Sequence, residues 1–111
     1  KDPLIYLDDI LFSIALIEQY IQGLSFETFE NSYEAQDKVL RRLEIIAEAA
    51  KKLPEQLRTD NPDIPWKSII GLRNIISHAY DEVNLVEIWT IISKHLIETK
   101  HQIERIQSSL R

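Results

Sequence analysis

Arg73, Asn74, His78 and Tyr80 fall within eight consecutive positions of the stretch Ile64–Asp81, IPWKSIIGLRNIISHAYD. Histidine has an unperturbed pKa of about 6.5, so it accepts and donates protons near neutral pH. The arginine guanidinium is a permanent planar charge that grips a phosphate and stabilises charge developing on it. An asparagine amide orients either group by hydrogen bonding. These three side chains suffice for RNA transesterification. A base takes the proton of a 2′-hydroxyl, the oxygen attacks the adjacent phosphate, and the guanidinium stabilises the transition state. The step needs no metal, and His78 has no second His, Cys or nearby carboxylate at metal-ligand spacing on its own helix.

On a helix Asn74 and His78 are four apart and share a face. Arg73 and His78 are five apart, roughly 140° around the axis and roughly 7.5 Å along it. A pair at that offset makes half a site. Two copies of the helix meeting across a two-fold axis would bring two Arg and two His into one cleft. The competing reading is plainer: His78 caps the helix, Arg73 is a surface charge near the helix C-terminus, and Tyr80 packs its ring at the loop.

No acidic residue lies between Asp63 and Asp81, although the formal net charge of the chain is −5. An acidic chain lacks the electrostatic footprint of a general nucleic-acid binder. Any RNA contact must therefore be local, through this island or through two islands pooled by two chains.

The rest of the chain has to position these residues. At 111 residues, one domain spanning 1–111 is expected. Two glycines and four prolines in a chain that is 44% hydrophobic, rich in Ile, Leu, Glu and Lys, make a helical composition. The absence of cysteine excludes disulfides and thiolate metal sites and fits a reducing compartment. No run of about 18 apolar residues occurs and no signal-peptide pattern opens the chain, so a cytoplasmic protein with no membrane partner is expected. The chain contains no Met, which leads us to expect native residues ahead of Lys1.

Asp2-Pro3 predicts a first helix to about Gln22, stopping at Gly23. Its apolar residues cover more than one stripe, as in a helix buried on two sides, either central in a bundle or against a second subunit. A short turn at Phe26 and Phe29 and a second helix from Asn31 or Ser32 to about Leu53 follow. Ala35, Val39, Leu43, Ile46, Ala50 and Leu53 form a single stripe there. The segment 54–65 holds three of the four prolines and reads as a connector, with a turn of helix at Glu55–Arg58. A third helix is predicted from Pro65 to about Ala79, and a fourth from a capping-box-like Asn84/Glu87 to about Leu110. The expected fold is all-α: an antiparallel, up-and-down bundle of four main helices plus short helical turns.

The stretch IPWKSIIGLRNIISHAY resembles the signature of the HEPN superfamily, specifically the HepT-like toxin family: Arg, a polar residue, a short spacer, His, any residue, Tyr. Arg73, Asn74, His78 and Tyr80 stand at those positions. RRLEIIAEAAKKLP (Arg41–Pro54) resembles the family's second-helix segment, and the lead-in Pro62–Trp66 fits as well. Two departures are Ala47 and Ala79, where relatives often carry glycine; both changes are small. The resemblance implies a HEPN-like homodimer with facing Arg–His motifs and a metal-independent endoribonuclease that uses no cofactor. It further implies the toxin role in a type VII-like toxin–antitoxin pair, with Arg73, Asn74 and His78 as catalytic residues. The implied partner is an MNT-type minimal nucleotidyltransferase antitoxin that transfers AMP from ATP to the motif tyrosine, here Tyr80. The alternative is a non-catalytic nucleotide- or protein-binding subunit of such a nucleotidyltransferase.

Overall fold

The computed structural model describes residues 2–78 and 82–111, the side chains of 82 and 83 apart. All regular structure among them is helical. The helices are α1 (Pro3–Ile21), α2 (Phe26–Glu30), α3 (Tyr33–Lys52), α4 (Glu55–Asp60), α5 (Trp66–Ile70), α6 (Leu72–Ser77), α7 (Glu82–Thr90) and α8 (Leu96–Leu110), with a π turn at Ile91–His95 between the last two. The expected all-α fold is what forms.

Local chemistry fixes most of the ends. The Asp2 carboxylate accepts from the Leu4 amide at 2.9 Å, with Pro3 in the first helical position. Gly23 ends the α1 region at φ 78°, a left-handed conformation that glycine adopts without a Cβ clash. Ser25 and Thr28 form a reciprocal capping box at the start of α2. The Ser32 hydroxyl accepts from the Ala35 amide and opens α3.

Packing follows the apolar stripes. Leu7, Ile10, Ile14 and Ile17 of α1 are buried, as are Val39, Leu43, Ile46 and Ala50 of α3. These two helices make the central contact of the bundle, and α8 packs on the other flank of α1. The α8 helix runs antiparallel to α1: Lys100 reaches Glu18 at 3.2 Å, while Gln107 and Arg111 both reach Asp8. Phe29, fully buried, lies 5.3 Å from Trp89 between ring centroids, and Phe26 meets the same indole edge-on. The α2 segment is thereby clamped between α3 and α7. Gln36 is buried on α3 and donates to the carbonyls of Phe29 and Glu30, which satisfies the end of α2. Ile5 and Phe12 of α1 stay about half or more exposed, at 49% and 62%, so part of the broad apolar surface of α1 has no partner within the described chain.

Two expectations need correction. The third helix is two short helices, α5 and α6, divided at Gly71, and it ends at Ser77 instead of Ala79. At Gly71 ψ is −7°, and a Cβ there would sit 3.0 Å from the carbonyl oxygen of Lys67. The close neighbour is the backbone of the same segment, not another element. The fourth helix is already helical at Glu82, the first described residue after 78 and two before the expected Asn84 cap, and it carries the π turn. Around that turn the hydroxyls of Thr90, Ser93 and Thr99 each donate to the carbonyl four residues earlier, a competition with the helical ladder that bends helices.

Candidate active site

The island is held by α4, α5, α6 and their joints. Trp66 is 9% exposed, and its indole N–H donates to the Asn61 carbonyl at 3.0 Å. Asn61 in turn donates from its side chain to the Leu57 carbonyl at 2.8 Å, closing the C-terminus of α4. These bonds fasten α4 to the start of α5. Trp66, Ile69 and Leu72 are buried, and both α5 and α6 pack on α3.

The opposite side of α5 and α6 presents Lys67, Ile70, Arg73, Asn74 and Ser77. With Arg58 of α4, Trp66 and Gly71, these residues line an open groove of about 860 Å³. Among the described residues, three cations and no carboxylate line it. Arg73 and Asn74 are exposed within it. The Ser77 hydroxyl donates to the Asn74 carbonyl at 2.8 Å, which keeps that edge of α6 regular.

A second groove of about 610 Å³ lies across α5 and α6, against α7, the π turn and α8. Its floor is apolar (Ile69, Leu72, Ile75, Ile91, Leu96), and it carries Asp63, Glu87, Glu98 and His95. Gly71 lines both grooves. The α5–α6 segment thus separates a groove lined by three cations from one that carries Asp63, Glu87 and Glu98.

His78 is not among the residues lining the cationic groove. It is the C-terminal cap of α6 at φ −115°, ψ 21°, exposed, with its amide bonded to the Ile75 carbonyl at 3.2 Å. The carbonyl of His78 accepts a 2.7 Å hydrogen bond from the side-chain amide of Asn84 on α7. Arg73 and Asn74 are therefore brought together with Arg58 and Lys67, and His78 stands at the end of the same helix. Tyr80 lies outside the described residues. His101 is exposed beside Glu104 at 3.4 Å, and His95 is exposed on the π turn. Among the described residues no group of three or more His, Asp or Glu could hold a metal ion, and no helix is long and apolar enough to cross a membrane.

Three residues were not given a role in the site from sequence. Lys67 continues the stripe 67–70–74–77 at three- and four-residue spacing, a readable signal. Arg58 has none, because its place depends on how α4 docks. Asn84 reads as a cap, yet it spends its amide on His78.

An all-helical domain with an Arg–Asn pair in an acid-free groove, and a histidine at the end of the same helix, has clear relatives. The profile of the family described as ribonuclease HepT-like matches residues 10–106, and the chain belongs to that family. It is 37% identical over 106 residues to a candidate RNase of Caldanaerobacter subterraneus subsp. tengcongensis, covering 96% of this chain and 95% of the relative. It is 33% identical over 102 residues to a protein of Thermococcus cleftensis named probable ribonuclease HepT, covering 92% and 93%. It is also 40% identical over 110 residues to a Methanocaldococcus jannaschii protein named gamma-glutamylcyclotransferase and candidate RNase, covering 99% of this chain and 50% of the relative. The chain thus spans half the length of that last protein. No solved structure gives a significant match.

Proposed function

We propose that this chain is a metal-independent endoribonuclease, the toxin of a type VII-like toxin–antitoxin pair, acting as a homodimer with a composite Arg/His cleft. The observation that carries this reading is the acid-free groove in which Arg73 and Asn74 lie together, one helical turn from His78, in a chain of the ribonuclease HepT-like family. The His78 imidazole accepts the proton of the 2′-hydroxyl. The O2′ then forms a bond to phosphorus, the bond to the 5′-oxygen breaks, and an imidazolium returns a proton to that leaving oxygen. The products are a 2′,3′-cyclic phosphate and a 5′-hydroxyl. Arg73 stabilises charge on the phosphoryl oxygens, and Asn74 orients the guanidinium or the phosphate. Because His78 does not line the groove of its own chain, the homodimer reading lets an imidazole from one copy serve the arginine of the other. The partly exposed apolar residues Ile5 and Phe12 on α1 support a second copy docking there.

Asn84 positions the histidine in this scheme, since its amide holds the His78 carbonyl. Asn84→Ala is expected to slow RNA cleavage about tenfold through misplacement of the base. Circular dichroism should show unchanged helix content, and unchanged cleavage would remove Asn84 from the scheme.

Silencing follows from charge. An MNT-type nucleotidyltransferase partner would transfer AMP from ATP to the hydroxyl of Tyr80, two residues beyond His78: the phenol oxygen loses its proton and bonds the α-phosphorus as pyrophosphate leaves. The phosphodiester would compete with RNA phosphate for Arg73, and the adenosine would block the cleft. Co-expression with such a nucleotidyltransferase and ATP should add AMP masses to the chain and abolish cleavage, and Tyr80→Phe should escape both. AMP addition to Tyr80→Phe at the parent level would contradict the assignment of the modified residue.

A further inference from the structure

Among the described residues, Arg58, Lys67 and Arg73 form no ion pair, although six other cation–carboxylate pairs, one of them through His101, are present in the same structure. All three line one groove. The Nε of Arg58 is buried and has no hydrogen-bond partner among the described residues. A buried N–H of a charged group left unpaired is costly, and native structures leave few of them without a ligand or water to complete them. Arg58 therefore carries a guanidinium whose Nε lacks an acceptor among the described residues. Lys67 is exposed on the next helix, and six residues separate it from Arg73, roughly 9 Å at helical rise. Ile70 and Trp66 supply apolar lining in the same groove.

We infer that Arg58 and Lys67 form a phosphate-binding subsite that holds a neighbouring stretch of single-stranded RNA backbone while Arg73 takes the reacting phosphate. This inference rests on the ribonuclease reading and adds two residues outside its motif. A cationic groove with apolar and aromatic lining suits a strand whose bases are free to lie against it. The anionic groove on the far side of α5–α6 leaves the strand one favourable track. The acidic balance of the chain makes that local track more selective, because surrounding carboxylates repel RNA elsewhere.

The test uses the full chain carrying His78→Ala, so that bound RNA stays intact, and a 5′-fluorescein-labelled single-stranded RNA of mixed sequence. Anisotropy across a KCl series gives Kd and its salt slope. Adding Lys67→Gln should raise Kd about threefold to tenfold and reduce the slope of log K against log salt by about 0.7, the value for one phosphate contact on a single strand. Arg58→Gln should do the same, and the double variant should lose about 1.4 of slope. Lys67 is exposed, so its variant folds. If Arg58→Gln unfolds, Arg58→Lys, which keeps the charge and loses the fork, should raise Kd with little change of slope. Unchanged Kd and slope in Lys67→Gln and in the folded Arg58 variant overturn the subsite, as does the absence of RNA binding. The two readings fail separately. If the parent chain cleaves RNA while both variants bind as it does, the subsite is wrong and the ribonuclease stands. If RNA binds through Arg58 and Lys67 and the parent chain does not cut it, the subsite stands and the catalytic reading falls.

Discussion

His78→Ala is expected to reduce RNA cleavage at least about a thousandfold, within the range that positioned general acid–base catalysis supplies. In the proposed scheme His78 imidazole serves as base and imidazolium as acid, so its loss removes both proton transfers. Arg73→Ala should cost about 10²–10³, the scale for removing one preorganised donor from a charge-stabilising site. Arg73→Lys should recover only part of this, because an ammonium cannot present the bidentate fork. Both residues are exposed at the end of the bundle, so thermal unfolding of the variants should match the parent. The geometry adds a sharper expectation. Arg73 lines the groove and His78 of the same chain does not; in the proposed composite cleft an Arg73→Ala chain and a His78→Ala chain are each expected to be inactive alone. Mixed and allowed to exchange, they should regain a measurable fraction of parent activity, since one dimer then holds one intact arginine and one intact histidine from different copies. No recovery in a mixture shown to form heterodimers would put each Arg–His pair within a single chain.

Phe29→Ala should lower stability by about 3–5 kcal/mol, the usual cost of emptying a fully buried aromatic site. For a domain of this length that shifts the unfolding midpoint by roughly 12–30 °C. Phe29 has no exposed surface and packs tilted against Trp89, so its removal opens a cavity and also loses an aromatic pair. The consequence extends to the site. Trp89 belongs to α7, and α7 carries the Asn84 amide that holds His78. At a temperature where the variant is still folded, its cleavage should fall with loosening of α7, and differential scanning calorimetry locates that temperature. A midpoint within about 3 °C of the parent would show that the α2–α7 clamp bears little of the fold.

Much of the fold is legible because its signals are local. Asp2-Pro3, the Ser25/Thr28 box and the Ser32 cap announce helix starts through bonds that span three residues or fewer. The α3 stripe marks its buried face for the same reason. The break at Gly71 is harder to read, since Ile69, Leu72 and Ile75 keep helical spacing straight through it and one tightened turn leaves the apolar pattern intact. Asn84 is a cap candidate by residue type but lies inside α7, where its side-chain amide donates to the His78 carbonyl, six residues back in the chain. In the site, Arg73, Asn74 and His78 are legible as a cluster because they share one helix and its end. Arg58 is not. It reaches the groove only because the Asn61–Trp66 bond folds α4 against α5, a tertiary fact with no trace in residue spacing.

In the proposed function Arg73 and His78 cut RNA without a metal. The direct measurement incubates a 5′-labelled single-stranded RNA with parent protein and His78→Ala protein, purified side by side, in excess chelator, and analyses the cleaved ends. Cleavage by the parent that leaves 2′,3′-cyclic phosphate ends is expected, and none above background by the variant. Equal cleavage by the two proteins, or no cleavage by either on any RNA that the protein binds, would contradict it.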